Sequence, residues 1–200
     1  PMDRRGGVFW LLPTFYINMK KVVNIIYQPG AGGEFLTWAL SQQKPFVPRQ
    51  IQYEHDINKW TLHENYFDYI SDDKINLYRQ HLNDYNSVKQ FDDWDRAFIV
   101  MLSTNERSSK FCKGLHSLKL NGKPGIHEYD HIHIARRFKS ISRRNIKFID
   151  PFLFWNLHKE SRILFEWLEH RFSITLEHNN FVNLKELWTQ RNLDILEERV

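Results

Sequence analysis

The chain of 200 residues is 42% hydrophobic and 26% charged, which fits one globular domain and excludes a disordered or fibrous chain. One cysteine excludes an internal disulfide framework and fits a reducing, cytoplasmic setting, and no apolar run reaches the ~20 residues of a membrane span. The net charge of +4 is unevenly spread: Glu54 to Asp95 hold ten acids and four bases, net −6, whereas Arg96 to Lys147 hold twelve bases and three acids, net +9. The basic block reads either as a face for phosphate, sulfate or nucleic acid or as a solvated surface.

Residues 1–18 begin with basic and apolar residues, but Pro13 interrupts the run and no small-residue cleavage site follows. Met19-Lys20-Lys21 reads as a start, which makes 1–18 a non-native or disordered leader and 19–200 a single domain. Val22 to Tyr27 is β-branched and almost continuously apolar, as a buried parallel strand is. Gln28-Pro29-Gly30-Ala31-Gly32-Gly33 breaks the chain, and Glu34 to Gln42 has the apolar spacing of a helix.

Residues 44–73 are acidic, aromatic and weakly periodic, which predicts loops and short helices. Strands are expected at Ile75–Leu82 and Ala97–Leu102. Ser103-Thr104-Asn105-Glu106 has the spacing of a capping box, so a helix is expected from about Thr104 to Leu115 with Ser103 as its cap. Residues 121–125 read as a loop, His131–Ile141 as a helix, and Asn145–Asp150 as a strand ended by Pro151. Leu157–Arg171 and Asn183–Glu198 read as amphipathic helices. The alternation predicts an α/β fold: three layers, α/β/α, around a mainly parallel central sheet.

In such a sheet a glycine-rich turn after the first strand is where phosphates bind, since glycines admit the anion to the backbone and the helix N-terminus presents free N–H groups. The turn here carries no Lys-Ser/Thr of a Walker A loop, and Phe35 stands where a dinucleotide fingerprint has its third glycine. Glu34 in the first helical turn suits the helix dipole but repels a bound phosphate. It either points away, acts as a base, or marks a loop that binds something other than a polyanion.

Four segments in order resemble the cytosolic and phage or bacterial sulfotransferases, a branch of the P-loop fold. They are Gln28 to Leu36 at the phosphosulfate loop, Tyr78-Arg79-Gln80-His81-Leu82 at a strand ending in Lys-Thr-His, Ile99 to Ser109 at the 3′-phosphate site, and Ile146 to Phe154 with the helix after it. Trp188 to Leu193 is similar to the tail helix of small bacterial members. The sequence departs from the family where Gly30 replaces the loop Lys, where Gly33-Glu34 replace the Ser/Thr pair, and where Arg107 follows Ser103 by four residues. The resemblance implies a P-loop-like fold and transfer of a sulfuryl group from 3′-phosphoadenosine 5′-phosphosulfate to a small hydroxyl acceptor, without a metal.

On that resemblance, Pro29, Gly30, Ala31, Gly32, Gly33, Glu34 and Phe35 form the 5′ anion site. Ser103, Arg107, Ser108 and Ser109 form the 3′-phosphate site, Arg136, Arg137, Arg143 or Arg144 supplies the missing charge, and His81 is the base. The alternatives are a non-catalytic nucleotide or phosphate binder of the same fold, or a nucleic-acid binder using residues 96–147. The acidic block and the lack of a nucleic-acid motif weigh against the last. His127, His131 and His133 have metal-like spacing, but His at i, i+4 suits a helix and His-x-His a strand, so one regular element cannot hold all three. Cys112 reads as a small buried hydrophobe.

Overall fold

The computed structural model describes residues 21–48, 51–52, 61–62, 71, 73–81, 96–119, 131–139, 144–190 and 192. Strand β1 (Val22–Tyr27) leads through the glycine turn into helix α1 (Gly33–Ser41). Strands β2 (Ile51–Gln52) and β3 (Thr61–Leu62) form a small antiparallel pair inside a region expected to hold only loops and short helices. Then come β4 (Asn76–His81), β5 (Arg96–Met101), α2 (Glu106–Lys119), α3 (His131–Lys139) and β6 (Ile146–Ile149). Helices α4 (Pro151–Asn156), α5 (His158–Phe172) and α6 (His178–Gln190) follow. The expected loop at 121–125 and the leader at 1–18 lie outside the described residues.

The main sheet is wholly parallel, in the order β4-β1-β5-β6. After β1 the chain places its next long strand on one side, then crosses to the other side for β5. The order therefore reverses between β1 and β5, and ligands of open α/β sheets bind at the carboxyl ends of such strands. Tyr27 is level with His81 on one neighbour and Met101 on the other, so the three strand ends form one edge.

Pleating divides the residues between two cores. Val23, Ile25 and Tyr27 join Leu77, Ile99 and Met101 in a large core with side chains of α1, α2, α4, α5 and α6. Ile26, Phe98, Val100 and Leu102 pack with Ala135 of α3 on the opposite face. Helices thus cover both faces, and strands buried on both sides explain the unbroken apolar runs.

Two sequence expectations are corrected at strand ends. The capping box does not form: α2 begins at Glu106, and its cap is Asn105, whose Oδ1 accepts from the Ser108 N–H at 2.9 Å. Ser103 is unavailable as a cap because its hydroxyl is engaged inside the sheet edge. Pro151 does not merely end β6; it opens α4 at a position where a missing N–H costs nothing. Asp150 caps that helix, its Oδ1 accepting from the Leu153 N–H at 3.2 Å. Helix α6 starts five residues before the expected Asn183. Upstream of it, the Leu176 N–H donates to Glu169 Oε1 and the Glu177 N–H to Gln43 Oε1, both at 2.8 Å.

Candidate functional site at the carboxyl edge of the sheet

The turn after β1 is built by packing from three sides. Gly30 and Gly32 both have φ +77°, the left-handed region that glycine enters without penalty. A Cβ on Gly30 would strike the Cys112 carbonyl of α2, one on Gly32 the Trp155 indole, and one on Gly33 the Tyr27 ring. The Trp155 Nε1 donates to the Ala31 carbonyl at 2.8 Å. The glycine content of this turn is therefore accounted for by close approach of protein. Pro29, Gly30 and Gly32 remain half-buried, while Ala31 and Gly33 are buried. Phe35 belongs to an aromatic cluster with Trp38, Trp155 and Trp188.

Between β1 and β5 the edge is stitched by side chains. Gln28 Nε2 donates to Ser103 Oγ at 2.7 Å, and the Ser103 N–H donates to Gln28 Oε1 at 2.7 Å. Ser103 Oγ donates to Cys112 Sγ at 3.6 Å. All three residues are buried, and burial pushes the Cys112 thiol up to about 12, so it stays protonated and is no nucleophile at neutral pH. Next to them, Asp150 Oδ2 accepts from the Thr104 hydroxyl at 2.5 Å and the Thr104 N–H at 3.0 Å. That bond ties the end of β5 to the end of β6.

On the β1–β4 side the structure assembles a group that single-residue reading missed. No side chain caps α1; Gly32 is its N-cap, and Glu34 is the acid of its first turn. Arg79 of β4 pairs with Glu34, Nη1 to Oε1 at 2.6 Å, both side chains being mostly buried at 13% and 18% exposure. The same Nη1 donates to the Tyr27 hydroxyl at 3.3 Å. Burial first, and then Glu34, push the Tyr27 phenol up to about 12 against the pull of Arg79. His81 is exposed, and its ring lies 4.5 Å from that of Tyr27. The available signal for Arg79 was a cation inside an otherwise strand-like run ending at the sheet edge; its partner at the second position of α1 was not visible.

The second expected anion site divides. Arg107 is exposed and lies over the Phe152 ring, 4.2 Å from its centroid. Ser109 is half-buried. Ser108 is fully buried, and its Oγ has no hydrogen-bond partner among the described residues. Arg144 precedes the amino end of β6, at the opposite end of the parallel sheet from the glycine turn. Arg136 is exposed on α3; Arg143 and the Arg137 side chain lie outside what is described. His131 and His133 are two residues apart on α3, which sets them about 200° apart around the helix. His127 lies outside the described residues, and no group of three metal-ligating side chains occurs among the described residues.

The geometry supplies a helix N-terminus with a neutralised first-turn acid, a second helix N-terminus with an exposed Arg, and an exposed imidazole on the same edge. No family model, curated protein or solved structure matches this chain. No helix among the described residues is long and apolar enough to cross a membrane.

Proposed function

We propose that this protein binds a nucleotide carrying phosphate or sulfate groups at the carboxyl edge of β1, β4 and β5, and that it is a sulfotransferase using 3′-phosphoadenosine 5′-phosphosulfate. The observation that carries this reading is the Glu34–Arg79 pair at 2.6 Å. Glu34 is the group that an anion at the α1 N-terminus would meet, and Arg79 cancels its charge.

In this reading the α1 N-terminus receives the 5′ anion through its free backbone N–H groups, beside the charge-balanced Glu34–Arg79 pair. Arg107 and Ser109 receive the 3′-phosphate, because a guanidinium matches phosphate oxygens in a fork. His81 takes the proton from the acceptor hydroxyl. The acceptor oxygen forms the new S–O bond as the S–O bond to the nucleotide breaks, and adenosine 3′,5′-bisphosphate leaves. The protein contributes position and charge, as in phosphoryl transfer.

A transfer assay tests it: release of adenosine 3′,5′-bisphosphate from the phosphosulfate in the presence of hydroxyl acceptors. His81→Gln is expected to lower the rate by about 10²–10⁴-fold while cofactor binding persists. A rate unchanged by that substitution would remove His81 from the chemistry. A second reading, nucleotide binding without transfer, is favoured by Gly30 at the position of the loop Lys, against the backbone of α2. Binding without release with any acceptor would support it.

A further inference from the structure

Helix α6 is fastened to its neighbours through a buried lysine. Lys185 is 2% exposed, and its Nζ donates to the Leu157 carbonyl at 2.9 Å. The Nζ lies 5.5 Å from the centroid of the Phe154 ring. Leu157 closes α4 and immediately precedes α5, so one amine ties α6 to the α4–α5 junction.

About one turn further along α6, Trp188 stacks on Trp155 with ring centroids 4.2 Å apart. Thr189 Oγ1 donates to the Trp155 carbonyl at 3.5 Å. Trp155 in turn holds the Ala31 carbonyl and fills the space beside Gly32. A continuous set of contacts therefore runs from the lysine seam to the glycine turn.

A carbonyl accepts from an amine or an ammonium, but only the amine is free of the cost of burying a charge. Among the described residues, the charged and titratable groups that act on Lys185 or His178 are few. On α6 they are Glu186 and His178, and on α5 they are His158, Glu160, Arg162 and Glu166. His158 Nε2 lies 3.6 Å from Glu186 Oε1. Residues 151–156 of α4 include no titratable side chain. Burial holds the Lys185 amine down at about 8, against the opposing pull of Glu186 and Glu160. His178 is held below its usual value, by burial first and then by Arg162, Lys185 and His158.

We propose that Lys185 is a proton-operated latch on α6: the uncharged amine seats the helix against the α4–α5 junction, and the ammonium loosens it together with the Trp188–Trp155 stack beside the glycine turn. Between about pH 8 and the ordinary lysine value of 10.5 the unfolded chain binds more protons than the folded one. Stability therefore rises with pH across that window. Below about 8 both states are protonated at this group, and its contribution to stability stays at its minimum.

The test is near-UV circular dichroism and tryptophan fluorescence of wild type and Lys185→Met from about pH 6.5 to about pH 10. Wild type is expected to change in both signals with a midpoint between about 8, the value of the seated amine, and the ordinary lysine value of 10.5, and the variant to stay flat in its high-pH form. His178→Gln is expected to leave the transition in place, since burial and its cationic neighbours hold His178 below the ordinary histidine value of 6.5 and so below this window. A wild-type signal flat through this range, or an equal transition in Lys185→Met, overturns the proposal. A lysine 13Cε titration of wild type stands independently of whether the variant folds. Lys185 and Lys147 are both expected to titrate below the ordinary lysine value of 10.5, and lysine signals that all titrate above about 10 would also overturn it.

Discussion

Glu34 and Arg79 are the residues on which the binding account turns. With the pair intact, an anion at the α1 N-terminus meets no net charge from it. Arg79→Ala removes the guanidinium that balances Glu34, so bisphosphate affinity is expected to fall about tenfold or more. Glu34→Gln removes the carboxylate charge that balances Arg79 and is expected to tighten binding. The double variant should recover most of what Arg79→Ala loses, and a double variant as weak as Arg79→Ala alone would show that the pair does not face the ligand. Gly32→Ala tests the packing of the turn. It forces alanine to φ +77° and pushes a methyl into the Trp155 indole, with an expected loss on the order of 2–4 kcal/mol in urea unfolding. The place of this glycine turn between a strand and a helix was legible in the sequence, but the reason for its glycines was not. Their neighbours, Cys112, Trp155 and Tyr27, come from three other elements, and nothing local encodes that approach.

At the scale of elements, hydrophobic pattern located β1 and β5 to within a residue, because a strand buried on both faces has to be continuously apolar. Helix starts were less legible, since several polar residues in a row compete to cap. Before α2, Ser103, Thr104 and Asn105 are all competent by type. Long-range bonds decide between them: Ser103 goes to Gln28, Thr104 to Asp150, and Asn105 is left to cap. Asn105→Ala is accordingly expected to cost about 1 kcal/mol of stability. Ser103→Ala is expected to cost about 1–3 kcal/mol, through the buried Gln28 amide it strands rather than through the helix. Glu106→Ala should change stability by less than about 0.5 kcal/mol, since its partner Lys110 is an exposed i, i+4 pair at 3.3 Å. Urea unfolding of the three variants separates these outcomes, and a Glu106→Ala loss as large as that of Asn105→Ala would argue for the capping box.

At the scale of the whole molecule, alternating elements foretold an α/β fold with a parallel sheet. The order β4-β1-β5-β6 was not legible, because any of several right-handed arrangements satisfies the same alternation. That order brings Arg79 of β4 beside Glu34 of α1, and it sets Arg144 at the far end of the sheet. The sequence named Arg144 among the cations able to serve the glycine turn, and the parallel direction of the strands puts it at the opposite end of the sheet. The segregation of charge between residues 54–95 and 96–147 is a sequence property whose acidic half lies largely outside the described residues. The central claim is nucleotide binding at the sheet edge, and calorimetric titration with adenosine 3′,5′-bisphosphate in the absence of Mg²⁺ tests it most directly, with ATP·Mg²⁺ as the comparison. The account predicts that the bisphosphate binds with a Kd of about a micromolar, near −8 kcal/mol, and more tightly than ATP·Mg²⁺. Absence of heat with the bisphosphate would contradict it.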